Sequence, residues 1–210
     1  MAVLKSAVRE VLPSDPPHLK AAFSRLGLKE ITGTKHEKQV LEMYAACGHK
    51  ISNDETAWCA AYVGWCLAQA GLPNSRSLMA RSYAKYGRAL NKSKKVPRGA
   101  IAVWPRGAPP SGHVNFALGD DGVYLTCIGG NQSMAGTNGA VTITRERKEH
   151  LVAVVMPDAV TAEPDPIPEP QPPLPDDPGG SETYSDPKPV PPPRVSWLDA
   201  LLSAFKRIRR

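Results

Sequence analysis

Fourteen of the chain's 22 prolines lie between Pro157 and Pro193. Proline fixes its own φ and has no N–H to donate, so so dense a run cannot carry a helix or a central strand. The stretch is also nearly devoid of large apolar side chains. Residues 157–196 hold eight acids, from Asp158 to Asp186, against Lys188 and Arg194, a net charge of −6. Such a segment buries no core and reads as an extended, solvated spacer. It therefore sets the organisation of the whole chain. An N-terminal extension covers residues 1–16, one folded domain covers 17–156, an acidic Pro-rich linker covers 157–195, and a short tail covers 196–210. The flanks are basic. Residues 1–156 carry 20 Lys and Arg against 11 Asp and Glu, a net of +9, and residues 197–210 add +3.

The remaining 140 or so residues are ample for a single core. No run of ~18 apolar residues occurs, so no transmembrane helix is expected. The opening MAVLKSAVREVLPSD brings Lys5, Arg9 and Glu10 early and has no uninterrupted apolar stretch, so no secretory signal is expected. The four cysteines form no C-x-x-C pair. On one helix Cys59 and Cys66 would stand ~10 Å apart, too far for a disulfide. No metal-ligand spacing is present, and no metal or cofactor is expected. The basic domain calls for an anionic partner: nucleic acid, an anionic membrane or an anionic cell wall. Neither helix-turn-helix pattern, zinc-finger spacing nor aromatic RNA-binding strand is visible, which sets nucleic acid aside.

Hydrophobic spacing divides the domain in two. Helices are predicted over 1–12, 18–27, 35–47, from about Ala57 to Ala70, and over 78–88. The second should turn Leu19, Ala22, Phe23 and Leu26 inward; the third Val40, Leu41, Tyr44 and Ala45. The fourth, with Asp54 or Thr56 as its cap, is the most apolar and should be buried. After Pro97 the pattern changes to short strands at 99–104, 112–118, 122–128, 139–144 and 151–156, separated by turn residues. Helices first and hairpin-linked antiparallel strands after define an α+β domain.

A nucleophilic cysteine needs a stabilised thiolate and a nearby base. A helix N-terminus supplies the first through its unpaired N–H groups and positive dipole end. Of the four cysteines only Cys59 falls in a predicted first helical turn. Cys66 is mid-helix, Cys127 mid-strand, and Cys47 ends a helix at the negative pole. Of the five histidines only His113 opens a predicted strand after a Gly-containing loop, in SGHVNFALG. Asn131, in GGNQS after the next strand, is placed to orient the imidazole across a hairpin. The order Cys, His, Asn is that of papain-like enzymes. Each signal also has a plain structural reading: a buried thiol, a turn histidine, a GGN turn. Their collinear occurrence favours a cysteine hydrolase.

Most of the domain, from about Leu28 to Gln132, resembles the CHAP-like cysteine peptidoglycan hydrolases, relatives of the NlpC-type peptidases of phages and bacteria. The matching stretches are GLKEITGTKHEKQVLEMY, NDETAWCAAYVGWCLAQAGLP, RSYAKYG, PRGAIAVWPR, SGHVNFALG and GGNQS, with DETAWCAAYVGWCL the most specific. The resemblance implies a papain-like α+β fold with Cys59 as nucleophile, His113 as base and Asn131 as orienter. Glu55, Trp58 and Gln132 are candidates for substrate contact. It implies a bacterial peptidoglycan partner, either amidase or endopeptidase activity, and a chain made in the cytoplasm that meets the wall after release or inside a virion. A monomer is expected unless the chain is a virion component. Two other readings stay open: a non-catalytic phage structural or wall-binding protein, and an interbacterial amidase toxin.

The tail, SWLDALLSAFKRIRR, places Trp197, Leu198, Leu201, Leu202, Phe205 and Ile208 within an arc of about 140° on a helix. Lys206, Arg207 and Arg210 lie outside that arc; Arg209 lies within it, near one edge. This is a basic amphipathic helix suited to an anionic membrane or lipopolysaccharide, with Trp197, Leu201, Phe205, Lys206, Arg207 and Arg210 as the contact residues. Docking on its own domain or on a partner is the alternative.

Overall fold

The computed structural model describes residues 9–134 and 137–158. The linker beyond Asp158, the expected tail helix and residues 1–8 lie outside them. Three helices come first: α1 (Pro17–Ser24), α2 (Lys38–Ala46) and α3 (Cys59–Gln69). A 3-10 segment, Ala80–Lys85, stands where a full helix was expected. Six strands follow: β1 (Arg88–Ala89), β2 (Ile101–Pro105), β3 (Gly112–Asp120), β4 (Tyr124–Met134), β5 (Thr137–Arg147) and β6 (Ala153–Met156). They form one antiparallel sheet in the order β1-β6-β2-β3-β4-β5. The α+β expectation holds. The two-residue β1 was not foreseen, since so short a strand has no readable period.

Period-two alternation gives the sheet two buried faces. Val103, Val114, Phe116 and Ile128 pack against the helices, with α3 at the centre of that cluster. Ala102, Trp104, Ala117 and Cys127 form a smaller cluster on the other face with Val96, Leu125, Leu151 and Val154. Every α3 residue from Cys59 to Leu67 is buried, as an all-round apolar helix demands. At Gly64 a Cβ would stand 2.4 Å from the Cys47 sulfur, so glycine there lets α2 approach α3. Cys47 is thus a packing residue, and burial pushes its thiol up to about 11.

Some inward assignments change. Leu26 is 47% exposed, because α1 stops at Ser24 and the chain turns outward before Gly27. Met43 replaces Ala45 on the inner face of α2, which begins at Lys38, later than expected. Neither Asp54 nor Thr56 caps α3. Thr56 bonds Asn53, and the fully buried Asp54 carboxylate accepts from Ile31 N–H (2.7 Å), Glu37 N–H (2.8 Å) and His36 Nδ1 (3.0 Å). Burial raises the Asp54 pKa, but these donors outweigh it and hold the carboxyl below its ordinary value. The residue expected to cap the helix instead ties down the loop before α2.

Candidate active site

The N-cap of α3 is Trp58, which offers the helix no side-chain oxygen. The first N–H groups of the helix stay uncapped, and those of Cys59 and Ala60 are directed at the Cys59 sulfur. A third N–H comes from Val114 in β3. Its availability follows from the register. In β3 the Ala117 N–H points to β2, donating to Ala100, so the N–H groups of Val114 and Phe116 point toward β4. The β3–β4 pairing ends at Phe116↔Ile128, and β4 then slips register against β5 between Gly129 and Gln132. The Val114 N–H, left without a strand partner, meets the thiol. Cys59 thus sits one residue along β3 from His113.

His113 donates from Nε2 to the Oε1 of Gln132 at 2.9 Å. A directional chain fixes this tautomer. The Trp104 indole N–H can only donate, and it does so to Asn115 Oδ1 at 2.8 Å. The Asn115 amide N–H then faces Gln132 Oε1 at 3.3 Å, while Gln132 Nε2 donates to the Thr142 carbonyl at 2.7 Å. The oxygen end of Gln132 therefore faces the imidazole, Nε2 carries the proton, and Nδ1 holds the lone pair. Arg106 Nη1 stands 3.4 Å from that Nδ1 and donates at 2.9 Å to the Asn131 carbonyl.

The imidazole's partner in the structure is Gln132, while Asn131 meets Arg106 through its backbone carbonyl. The cause is the double glycine. At Gly130 a Cβ would lie 2.5 Å from Trp58 Cζ3 and 2.7 Å from Tyr62 Cβ; at Gly129 it would lie 2.7 Å from both Asn115 Cβ and Gln132 Oε1. The strand runs tight against both layers there. Asn131 takes a left-handed φ of 53°, a conformation asparagine tolerates. The shifted pleat then turns Gln132 toward His113.

Of the residues expected to meet substrate, Trp58 is fully buried and donates to Glu30 Oε2 at 3.0 Å. Glu55 is exposed and accepts from the Gly33 N–H at 3.0 Å, pinning the same loop that Asp54 holds. Gln132 belongs to the imidazole network. A pocket of about 260 Å³ is lined by Trp104, Arg106, His113, Gln132, Thr144 and Glu146, among others. Cys59 is 3% exposed.

The charges follow from burial. Burial raises the Cys59 thiol, against the pull of the Val114 N–H and the Arg106 charge. Burial likewise drives His113 down to about 4; Gln132 opposes this and Arg106 adds to it. Burial thus favours the neutral form of both the Cys59 thiol and the His113 imidazole at pH 7. Cys66 and Cys127 are raised by burial and lie within the core. Among the described residues no three His, Cys, Asp or Glu side chains gather as a metal site, and no helix is long and apolar enough to cross a membrane.

Sequence reading missed Asn115, Trp104, Thr142 and Arg106. Asn115 carried a usable signal, since a residue two beyond His113 shares its face of the strand. Residues 51–131 match the family model of the CHAP domain. That segment is similar to the CHAP domain. The matched segment runs from the loop before α3, through Cys59 and His113, to Asn131. No curated protein matches the chain.

Proposed function

We propose that this protein is a cysteine peptidoglycan hydrolase in which Cys59 attacks an amide carbonyl and His113 moves the proton. CHAP domains are usually hydrolases acting on peptidoglycan. The observation that carries the reading is the thiol at the uncapped start of α3, one residue along β3 from an imidazole whose Nδ1 is left basic by Gln132. His113 Nδ1 takes the Cys59 proton, and the thiolate attacks the carbonyl carbon to give a tetrahedral oxyanion. The helix N–H groups at Cys59 and Ala60 are suited to hold that charge. Imidazolium returns its proton to the leaving amine, and water then releases the acyl group from Cys59. Gln132 keeps the ring in one tautomer and accepts from the imidazolium as it forms. The papain-like arrangement of helix, strand and carboxamide is part of this reading.

The bond is an N-acetylmuramoyl–L-alanine amide or a stem-peptide bond. The +9 charge of residues 1–156 suits an anionic wall. Mass spectrometry of digested muropeptides names the bond, and Cys59→Ala must abolish release of new amines. Unchanged release would overturn the nucleophile assignment. A phage lysin carried to the wall in a virion or after release fits the hydrolase joined to a cationic tail. Removal of 196–210 should then weaken lysis of intact Gram-negative cells while sparing purified wall. Equal loss on both would refute that role for the tail.

A further inference from the structure

Arg106 ends up beside His113, and nothing in the hydrolytic scheme uses it. Its Nη1 stands 3.4 Å from His113 Nδ1 and 2.9 Å from the Asn131 carbonyl. Its charge also reaches the Cys59 sulfur. The side chain is exposed and lines the pocket that His113 and Gln132 line. Among the described residues it is in no ion pair, whereas Arg98, Arg145, Arg147 and Lys148 each have a carboxylate. A guanidinium with no anion, at the mouth of a site for a polymer rich in free carboxylates, is poised for one. Its present position also occupies the lone pair that must receive the thiol proton.

We propose that Arg106 binds a substrate carboxylate beside the scissile amide. In turning to it, Arg106 leaves His113 Nδ1 free to accept the Cys59 proton. The inference rests on the hydrolase reading and adds what the site selects: a stem peptide whose flanking carboxyl is free rather than amidated. The planar fork of arginine matches a carboxylate with two parallel hydrogen bonds. Binding would exchange a long contact to a neutral nitrogen for a charge-assisted pair.

The test uses two muropeptides, identical except that the flanking carboxyl is free in one and a primary amide in the other. The full chain should cleave the free acid with roughly tenfold or higher kcat/KM, the scale of one charge-assisted hydrogen bond. Arg106→Gln should bring the ratio near one, with the loss falling on the free acid, and Arg106→Lys should restore part of it. Because Arg106 depresses His113, Arg106→Gln should also move the acid limb of the pH profile upward, which loss of folding would not do. Equal cleavage of both peptides by the unaltered protein, or an unchanged ratio in Arg106→Gln, overturns the proposal. Should the unaltered protein cleave neither, the hydrolase reading fails. Titration of Cys59→Ala with the same pair then still decides the matter: tighter binding of the acid supports it, equal affinity overturns it.

Discussion

Replacing Gln132 by Met removes the acceptor of the His113 proton at nearly constant volume. The wild-type contact is 2.9 Å long, and Gln132 is 4% exposed. In the proposed mechanism the bond is made to an imidazolium during turnover. A hydrogen bond to a charged group is worth about 1.5–3 kcal/mol, which is roughly 10- to 160-fold in rate. Met also leaves the Asn115 amide and the Thr142 carbonyl without this partner. That should cost about 1–3 kcal/mol of stability, so rates belong well below the melting temperature. Initial rates of amine release from purified peptidoglycan supply kcat. Gln132→Glu separates positioning from folding. It keeps an acceptor and adds negative charge, which stabilises the imidazolium, so the acid limb set by His113 near pH 4 should move upward. Asn131→Gly keeps the left-handed backbone and removes the side chain, and its rate should stay near wild type. A Gln132→Met rate within about threefold of wild type, or a deeper loss in Asn131→Gly, would refute the assignment of Gln132 as orienter.

Gly130→Ala should destabilise the domain by about 1–3 kcal/mol, because the new methyl group meets Trp58 and the stem of Tyr62 rather than a flexible chain end; an unaltered urea midpoint would show that the contact relaxes at no cost. Stability should also fall between pH 6.5 and about 4. His113 titrates near 4 in the folded chain and His18 is likewise lowered by burial, so the unfolded chain binds more protons throughout that window. The stability these groups contribute is complete above pH 6.5 and is lost as the pH drops. Asp15, Asp54 and Asp120, all lowered, add further loss only below their ordinary value of 3.8. A urea midpoint that stays flat from pH 6.5 to 4.5 would contradict this.

Local patterns gave away those parts of the fold that local patterns determine. The apolar run CAAYVGWCL had to be a buried helix, and its punctuation placed Cys59 at the start. The strands after Pro97 alternate, so the sheet and its antiparallel pairing were readable. The position of β6 between β1 and β2 was not, because sheet order depends on which edge the chain returns to. Gln132 was hidden for a sharper reason. A one-residue slip in a strand exchanges its two faces, and the slip between Gly129 and Gln132 depends on contacts with Trp58 and Tyr62, about 70 residues earlier in the chain. Asp54 was misassigned because a carboxylate just before a helix satisfies the capping pattern whether or not it turns toward the helix. Its three donors come from residues 31–37, and no local rule couples those two segments.

The same burial that keeps Cys59 and His113 neutral shapes how the site can work. Forming a thiolate and an imidazolium here opposes the burial that raises one pKa and lowers the other. Whatever offsets that cost must already be in place when the proton moves. The groups in place are the uncapped N–H donors of Cys59 and Ala60, the Val114 N–H freed by the strand slip, and the Gln132 carboxamide. Each is fixed by the fold, and each acts more strongly in a site that excludes water. Arg106 differs, because it stabilises the thiolate but opposes the imidazolium. Moving it onto a substrate carboxylate removes that opposition, while Cys59 keeps three N–H donors. Reactivity would then rise when substrate arrives, and the solitary thiol would stay protonated and protected from oxidation.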